Sequence, residues 1–348
     1  MHAPTERAAR LALPALLLGA VGIAFAPIFV RLSETGPLAT GFWRMALSVP
    51  VLLLLGGWQR ARSADGAVGA DGASGAGPTA APAPGAGRGA ERGGARAGRG
   101  DGRALVFAGL FFAGDLGLWH LAIGRTSIAN ATLLPNLAPI FVTLGGFLFL
   151  AQRVSRRFLV ALALALAGVW TLVGSSADLG GRRVEGDLLG VGTAVFYAAY
   201  ILAVADLRGR RSTASILWAA GAAACVPLLL LALLSGEALL PATPQGWLVL
   251  AGLALVSQVT GQGLIAYALA HLPAAFSSLT LLLQPVCATL LAWWLFAESL
   301  GALQALGGAV VLVGVVLARL ASRPPGHPRT TAPPGDPLRP PARPPSPS

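Results

Sequence analysis

The chain has 348 residues, of which 55% are hydrophobic and only 11% charged, with a mean hydropathy of +0.70. So few charges, against roughly 25% in a soluble domain, cannot cover a water-soluble enzyme, and the apolar residues come in runs of about 20, the length an α-helix needs to cross roughly 30 Å of hydrocarbon. The net charge of +11 does not indicate a nucleic-acid partner, because all 25 basic residues are Arg and those outside the tails lie mostly between apolar runs, where membrane topology accounts for them.

The pattern predicts an all-α integral membrane protein. A membrane β-barrel is excluded, since its strands alternate apolar and polar residues over about 10 positions. Ten spans follow in chain order, at 11–30, 38–57, 104–122, 127–151, 157–174, 187–206, 213–234, 246–269, 273–296 and 301–320. The first, preceded by Arg7 and Arg10, is longer than the apolar core of a signal peptide. Its best small-residue site, Ala24-Phe25-Ala26, is followed by Pro27, so it reads as an uncleaved helix after a short cytoplasmic stretch, 1–10. Between the second and third spans, Gln59–Arg103 holds 26 Gly or Ala in 45 residues and reads as a disordered cytoplasmic loop, 59–103. Ser322–Ser348, with 11 Pro in 27 residues, reads as a disordered tail, 322–348.

Placing the N-terminus inside puts 20 Arg on the cytoplasmic side and four outside, namely Arg31, Arg125, Arg182 and Arg183. Both termini are then cytoplasmic, and the bilayer is the cell membrane. Cys225 and Cys287 lie inside apolar runs and read as small buried residues, with no metal spacing.

The chain also repeats itself. Residues 122–172 align on 268–318 without a gap, at an offset of 146, so Pro139 falls on Pro285, Gln152 on Glu298 and Gly168 on Gly314. Between these markers the copies read PIFVTLGGFLFLAQ and PVCATLLAWWLFAE. Five spans lie in 11–174 and five in 187–320. Five is odd, so the copies are expected to lie in opposite orientation, the inverted-repeat plan that puts a solute site near the midplane.

This pattern of small residues, Pro, a long apolar stretch, an acid and a Gly-bearing helix resembles the EamA domain of the drug/metabolite transporter superfamily. The second copy carries it from Gln284-Pro285-Val286 through Ala297-Glu298-Ser299-Leu300 to Gly308 and Gly314. The first carries it from Leu137-Ala138-Pro139-Ile140 through Gln152-Arg153 to Gly168, and Gly186-Asp187-Leu188-Leu189-Gly190 is similar to the family's sixth helix start. Gln152 departs from the family's usual Glu and cannot ionise. The resemblance implies a secondary transporter that exports an amino-acid-like or drug-like metabolite by alternating access.

Charge inside a bilayer costs roughly 2.5–3.5 kcal/mol on insertion scales, so intramembrane polar groups are the site candidates. Asp115 lies near the middle of the third span, with Trp119 one turn further on the same face and His120 beside it. Arg44 lies about a third of the way into the second span. Asp115 and Arg44 read either as binders of the two ends of a zwitterionic solute or as a structural ion pair. Asp115 or His120 is the candidate for proton exchange. Asn130 and Asn136 stand beside Pro135 and Pro139, and Gln284 beside Pro285; prolines free backbone carbonyls and kink helices. Gln258 and Gln262, four apart, share one side of the eighth span, and Tyr197 and Tyr200 lie three apart in the sixth. These read as cavity walls or as interhelical contacts.

No phosphate-loop lysine, HExxH or Cys/His cluster occurs, so no enzyme activity, metal or cofactor is expected. The expected partners are a small-molecule substrate, lipid and protons, with the chain a monomer or a homodimer. An intramembrane enzyme on lipid-linked substrates and a non-transporting scaffold are the competing readings.

Overall fold

A computed structural model describes residues 6–72, 99–123, 125, 133–152, 154–174, 184–296 and 301–322. Among them there are helices and no strands. The first span is split into α1 (Glu6–Ala24) and α2 (Ala26–Leu32). Pro27 stands in the first turn of α2, where its missing N–H is tolerated, and no α-helical bond can cross to it from α1. Then follow α3 (Pro37–Gly72), α4 (Arg99–Ile123), a 3-10 turn at Leu134–Leu137, α5 (Ala138–Phe149) and α6 (Arg156–Gly174). The second half holds α7 (Val184–Leu207), α8 (Thr213–Ser235) and α9 (Pro244–Gly252), a π-helical stretch at Leu253–Gln262, and α10 (Gly263–Ala268). It ends with α11 (Ala274–Thr280), α12 (Leu283–Phe296) and α13 (Ala302–Ala321).

Among the described residues, eight helical stretches are long and apolar enough to cross a membrane. The expected fourth and fifth spans correspond to the shorter apolar segment Leu134–Phe149 and to the 19 residues of α6. One boundary differs from expectation. The helix of the second span continues to Gly72, and α4 begins at Arg99, so both ends of the expected disordered loop are helical. Four Ala between 59 and 72 favour continuing the second span's helix past its apolar run, since Ala is the strongest helix former. Asn130, Glu298, residues 73–98 and most of the tail lie outside the described residues.

Packing between the halves is reciprocal. α4 lies along α7, and its counterpart, the π stretch, lies along α1. The same exchange relates α5 on α7 to α12 on α1, while α3 on α8 and α6 on α13 pair like with like. The α6–α13 contact shows the relation at single residues. A Cβ on Gly168 would lie 2.6 Å from the Val311 nitrogen, and one on Gly314 would lie 2.8 Å from the Ala165 nitrogen. Ala165 and Val311 are separated by the same 146 positions as Gly168 and Gly314. Only glycine admits this backbone approach, the close packing that drives helix association in lipid.

Hydrogen bonds join the halves at each end of the bundle. At one end the turn after α2 and the segment after α8 exchange caps. Glu237 Oε2 accepts from the Ala39 N–H (3.1 Å) at the start of α3. Glu34 accepts from the Thr243 N–H (2.9 Å) and hydroxyl at the start of α9. Carboxylates are favoured at both places because helix N-termini present unpaired N–H groups and partial positive charge. The Thr243 hydroxyl and N–H hold the Glu34 carboxyl below its usual value. Trp43 Nε1 donates to the Leu239 carbonyl (2.7 Å) and its ring meets Trp247 edge-on at 4.9 Å. At the opposite end Asp101, opening α4, pairs with Arg210 (3.4 Å) and Arg211 (3.1 Å) of the turn between α7 and α8.

Replacing Gly168 or Gly314 by Val should destabilise the protein by at least about 1–3 kcal/mol, because backbone cannot yield as a side chain does. Gly57, with nothing within 4 Å, is the control. Thermal unfolding in detergent should show lowered midpoints for G168V and G314V and none for G57A; equal midpoints would refute the packing.

Candidate functional site

The cavity lies in the halves of the helices nearer the Ser33–Gly36 turn. Its volume is about 220 Å³, and α1 to α4, the 3-10 turn, α7, the π stretch and α12 line it. The Arg208–Arg211 end lies beyond the lining of this cavity. Every residue of α11 is buried there, as are Leu281, Leu282, Ile201, Val204 and Leu207.

Two broken helices shape the wall. In the first half the 3-10 turn precedes Pro139; in the second, α11 gives way to α12 just before Pro285. The two breaks correspond residue by residue. The Ala138 N–H donates to the Pro135 carbonyl, and the Gln284 N–H donates to the Leu281 carbonyl at 2.9 Å, the same short bond 146 positions on. A proline offers no N–H to the preceding turn, so each chain tightens there and turns polar groups toward the space. Pro135, Asn136, Gln284 and Pro285 all line the cavity.

Seven of the eleven residues singled out from the sequence meet at this cavity: Arg44, Asp115, Trp119, Asn136, Tyr197, Gln262 and Gln284. Gln258 and Tyr200 are buried behind it, 1% and 3% exposed. Gln258 accepts from Arg44, while Tyr200 stacks on Phe112 with centroids 4.5 Å apart. The side chain of His120 and the whole of Asn130 lie outside the described residues.

Thr40, Phe112 and Thr193 also line the cavity and were not singled out from the sequence. Helical spacing could have found them. Thr40 precedes Arg44 by four residues, Phe112 precedes Asp115 by three and Thr193 precedes Tyr197 by four, each on a shared face.

Arg44 is the centre of the polar groups. Its side chain is buried, its Nε donates to Gln258 Oε1 at 3.0 Å, and its guanidinium carbon lies 5.6 Å from the Phe112 ring centroid. Asp115 on α4 interacts with it electrostatically. The Gln284 side chain faces the Tyr197 hydroxyl, and its Nε2 is buried with no hydrogen-bond partner among the described residues. One cation, one carboxylate, an unfilled donor and the rings of Phe112, Trp119 and Tyr197 thus surround one space. The set can hold a carboxylate against Arg44, an ammonium against Asp115 and an apolar body against the rings.

The sequence model of the EamA-like transporter family matches residues 10–174 and again 184–320. Among curated proteins, the chain is 28% identical over 219 residues to an uncharacterized transporter of Archaeoglobus fulgidus, covering 62% of this chain and 76% of that one. It is 27% identical over 212 residues to the pseudopaline exporter CntI of Pseudomonas aeruginosa, covering 61% and 73%. It is likewise 27% identical to the uncharacterized transporter YwfM of Bacillus subtilis, covering 59% and 69%. A solved crystal structure superimposes with a TM-score of 0.61 over 90% of this chain and 98% of the other, at 19% identity, which is a likeness of fold.

Removing one of two buried opposite charges leaves the other uncompensated. R44M and D115L should each destabilise the protein more than the R44M/D115L pair does. The gap should be about 2 kcal/mol, short of the 3–5 of a fully buried pair because Asp115 faces the cavity. A double-variant cycle of unfolding midpoints measures it; strictly additive losses would show that the two charges are not coupled.

Proposed function

Because the chain belongs to the EamA-like transporter family and is a membrane transporter rather than an enzyme, we propose that it exports a small amphipathic metabolite across the cell membrane by alternating access. In this reading ten spans form two inverted five-helix repeats with both termini cytoplasmic. The matched Pro and Gly positions and the reciprocal helix packing support the inversion. The Arg-rich turn at Arg208–Arg211 is then cytoplasmic and the cavity faces outward. The observation that carries the proposal is the meeting of Arg44 and Asp115 in one cavity between two like-broken helices.

The solute's carboxylate lies against Arg44 and the Gln284 amide, and its apolar part against Phe112 and Trp119. A charged, water-filled site in lipid binds such a molecule and rejects purely apolar ones, which leave the polar groups unpaired. Asp115 is the group that exchanges a proton for the solute. Inward proton movement supplies the energy, since nothing in the sequence binds ATP in a phosphate loop. Export is also what the printed name of one relative states of that protein.

The test is efflux from proteoliposomes loaded with a cell metabolite extract and analysed by mass, with and without a proton gradient. At least one carboxylate-bearing solute should leave faster with the gradient. R44A and D115N should slow that efflux roughly 10–100-fold at normal protein abundance, the loss expected for one charge-assisted hydrogen bond. No solute leaving under any gradient would overturn transport; D115N efflux with the wild-type gradient response would overturn the proton role.

A further inference from the structure

Arg44 can serve a solute only if its guanidinium is held in one plane. A free arginine rotates about several bonds, and the useful part for a carboxylate is the end-on pair of Nη groups. We propose that Gln258 is the positioning residue that fixes this plane, and that the π-helical stretch carrying it is the site's positioning element. The inference rests on reading the cavity as the solute site.

The geometry separates Gln258 from the wall residues. Gln258 is 1% exposed, while Arg44, which it touches, lines the cavity. The bond is between Gln258 Oε1 and Arg44 Nε, 3.0 Å, joining residues 214 positions apart. Binding at Nε occupies the side of the guanidinium fork and leaves the end-on Nη pair for the cavity. The Phe112 ring lies across the other direction of movement, 5.6 Å from the guanidinium carbon.

The element holding Gln258 is itself pinned. Its neighbour Ser257, fully buried, donates to the Gly22 carbonyl of α1 at 3.0 Å. Gly261 lies flush against α1, where a Cβ would come within 3.1 Å of the Ile23 nitrogen. Consecutive side chains of one stretch thus hold α1 by its backbone and α3 by Arg44. The stretch runs Leu253–Gln262 in π geometry, a rare arrangement that is frequent at functional sites. Its last residue, Gln262, lines the cavity.

The experiment reads Arg44 directly and uses no solute. Protein labelled with nitrogen-15 arginine is placed in lipid nanodiscs, and the Nε–H signals are recorded, with R44K identifying the Arg44 signal. In the wild type that proton should exchange with water at least about tenfold more slowly than those of exposed arginines, as a buried hydrogen bond requires. Q258L, which keeps the shape and removes the acceptor, should lose that protection and shift the signal. Q258E, which keeps Oε1, should retain it. Unfolding midpoints show whether each variant is folded; if Q258L is not, Q258M is read in its place. An unprotected wild-type signal, or an unchanged one in folded Q258L or Q258M, would overturn the assignment. A chain that shows the protected signal but fails the efflux test loses the transport reading and keeps only Gln258's hold on Arg44; a chain that passes the efflux test with an unprotected Arg44 signal loses this inference alone.

Discussion

A guanidinium in hydrocarbon must be compensated, and much of this structure follows from that need. Arg44 draws on two other elements at once: the carboxylate of Asp115 and the face of Phe112 from α4, and the amide of Gln258 from the π stretch. None of these partners lies on its own helix. The charge therefore ties the first half of the chain to the second inside the bundle, where apolar packing alone gives no direction. Removing the charge would free those contacts, and keeping it demands a polar space around it.

Duplication supplies the rest of the frame. The same proline in each copy breaks the same helix, and the same short hydrogen bond bridges each break. The same glycine in each copy meets the residue three positions before its counterpart. The interface is thereby built twice from one set of local rules. The ends differ: one is joined by carboxylate caps and indoles, the other by Asp101 with two arginines.

Composition and period made the membrane class legible, since runs of about 20 apolar residues have few alternatives. The repeat was legible because Pro and Gly, unlike Leu and Ala, are rarely interchangeable at a break or a close contact. Asp115 and Arg44 stood out because charge within a span is expensive. The two glutamines showed less. Spacing put Gln258 and Gln262 on one side, yet only the fold could assign one to the wall and one to Arg44, because depth within a bundle leaves no periodic trace. Thr40, Phe112 and Thr193 share helical faces with Arg44, Asp115 and Tyr197, a spacing that points to them once those residues are taken to line one cavity. The helix beyond the second span was hidden because alanine favours helix without signalling it through hydrophobic pattern.

In the proposed transport cycle one cavity is reached from each side of the membrane in turn. Ala288, which lines it, is the reporter. With Cys225 and Cys287 replaced by Ser, A288C in oriented vesicles is exposed to a membrane-impermeant thiol reagent from either side, under opposed proton gradients. The account predicts labelling from both sides, each favoured by one direction of the gradient and suppressed by the other. Labelling from one side alone under every gradient would contradict it.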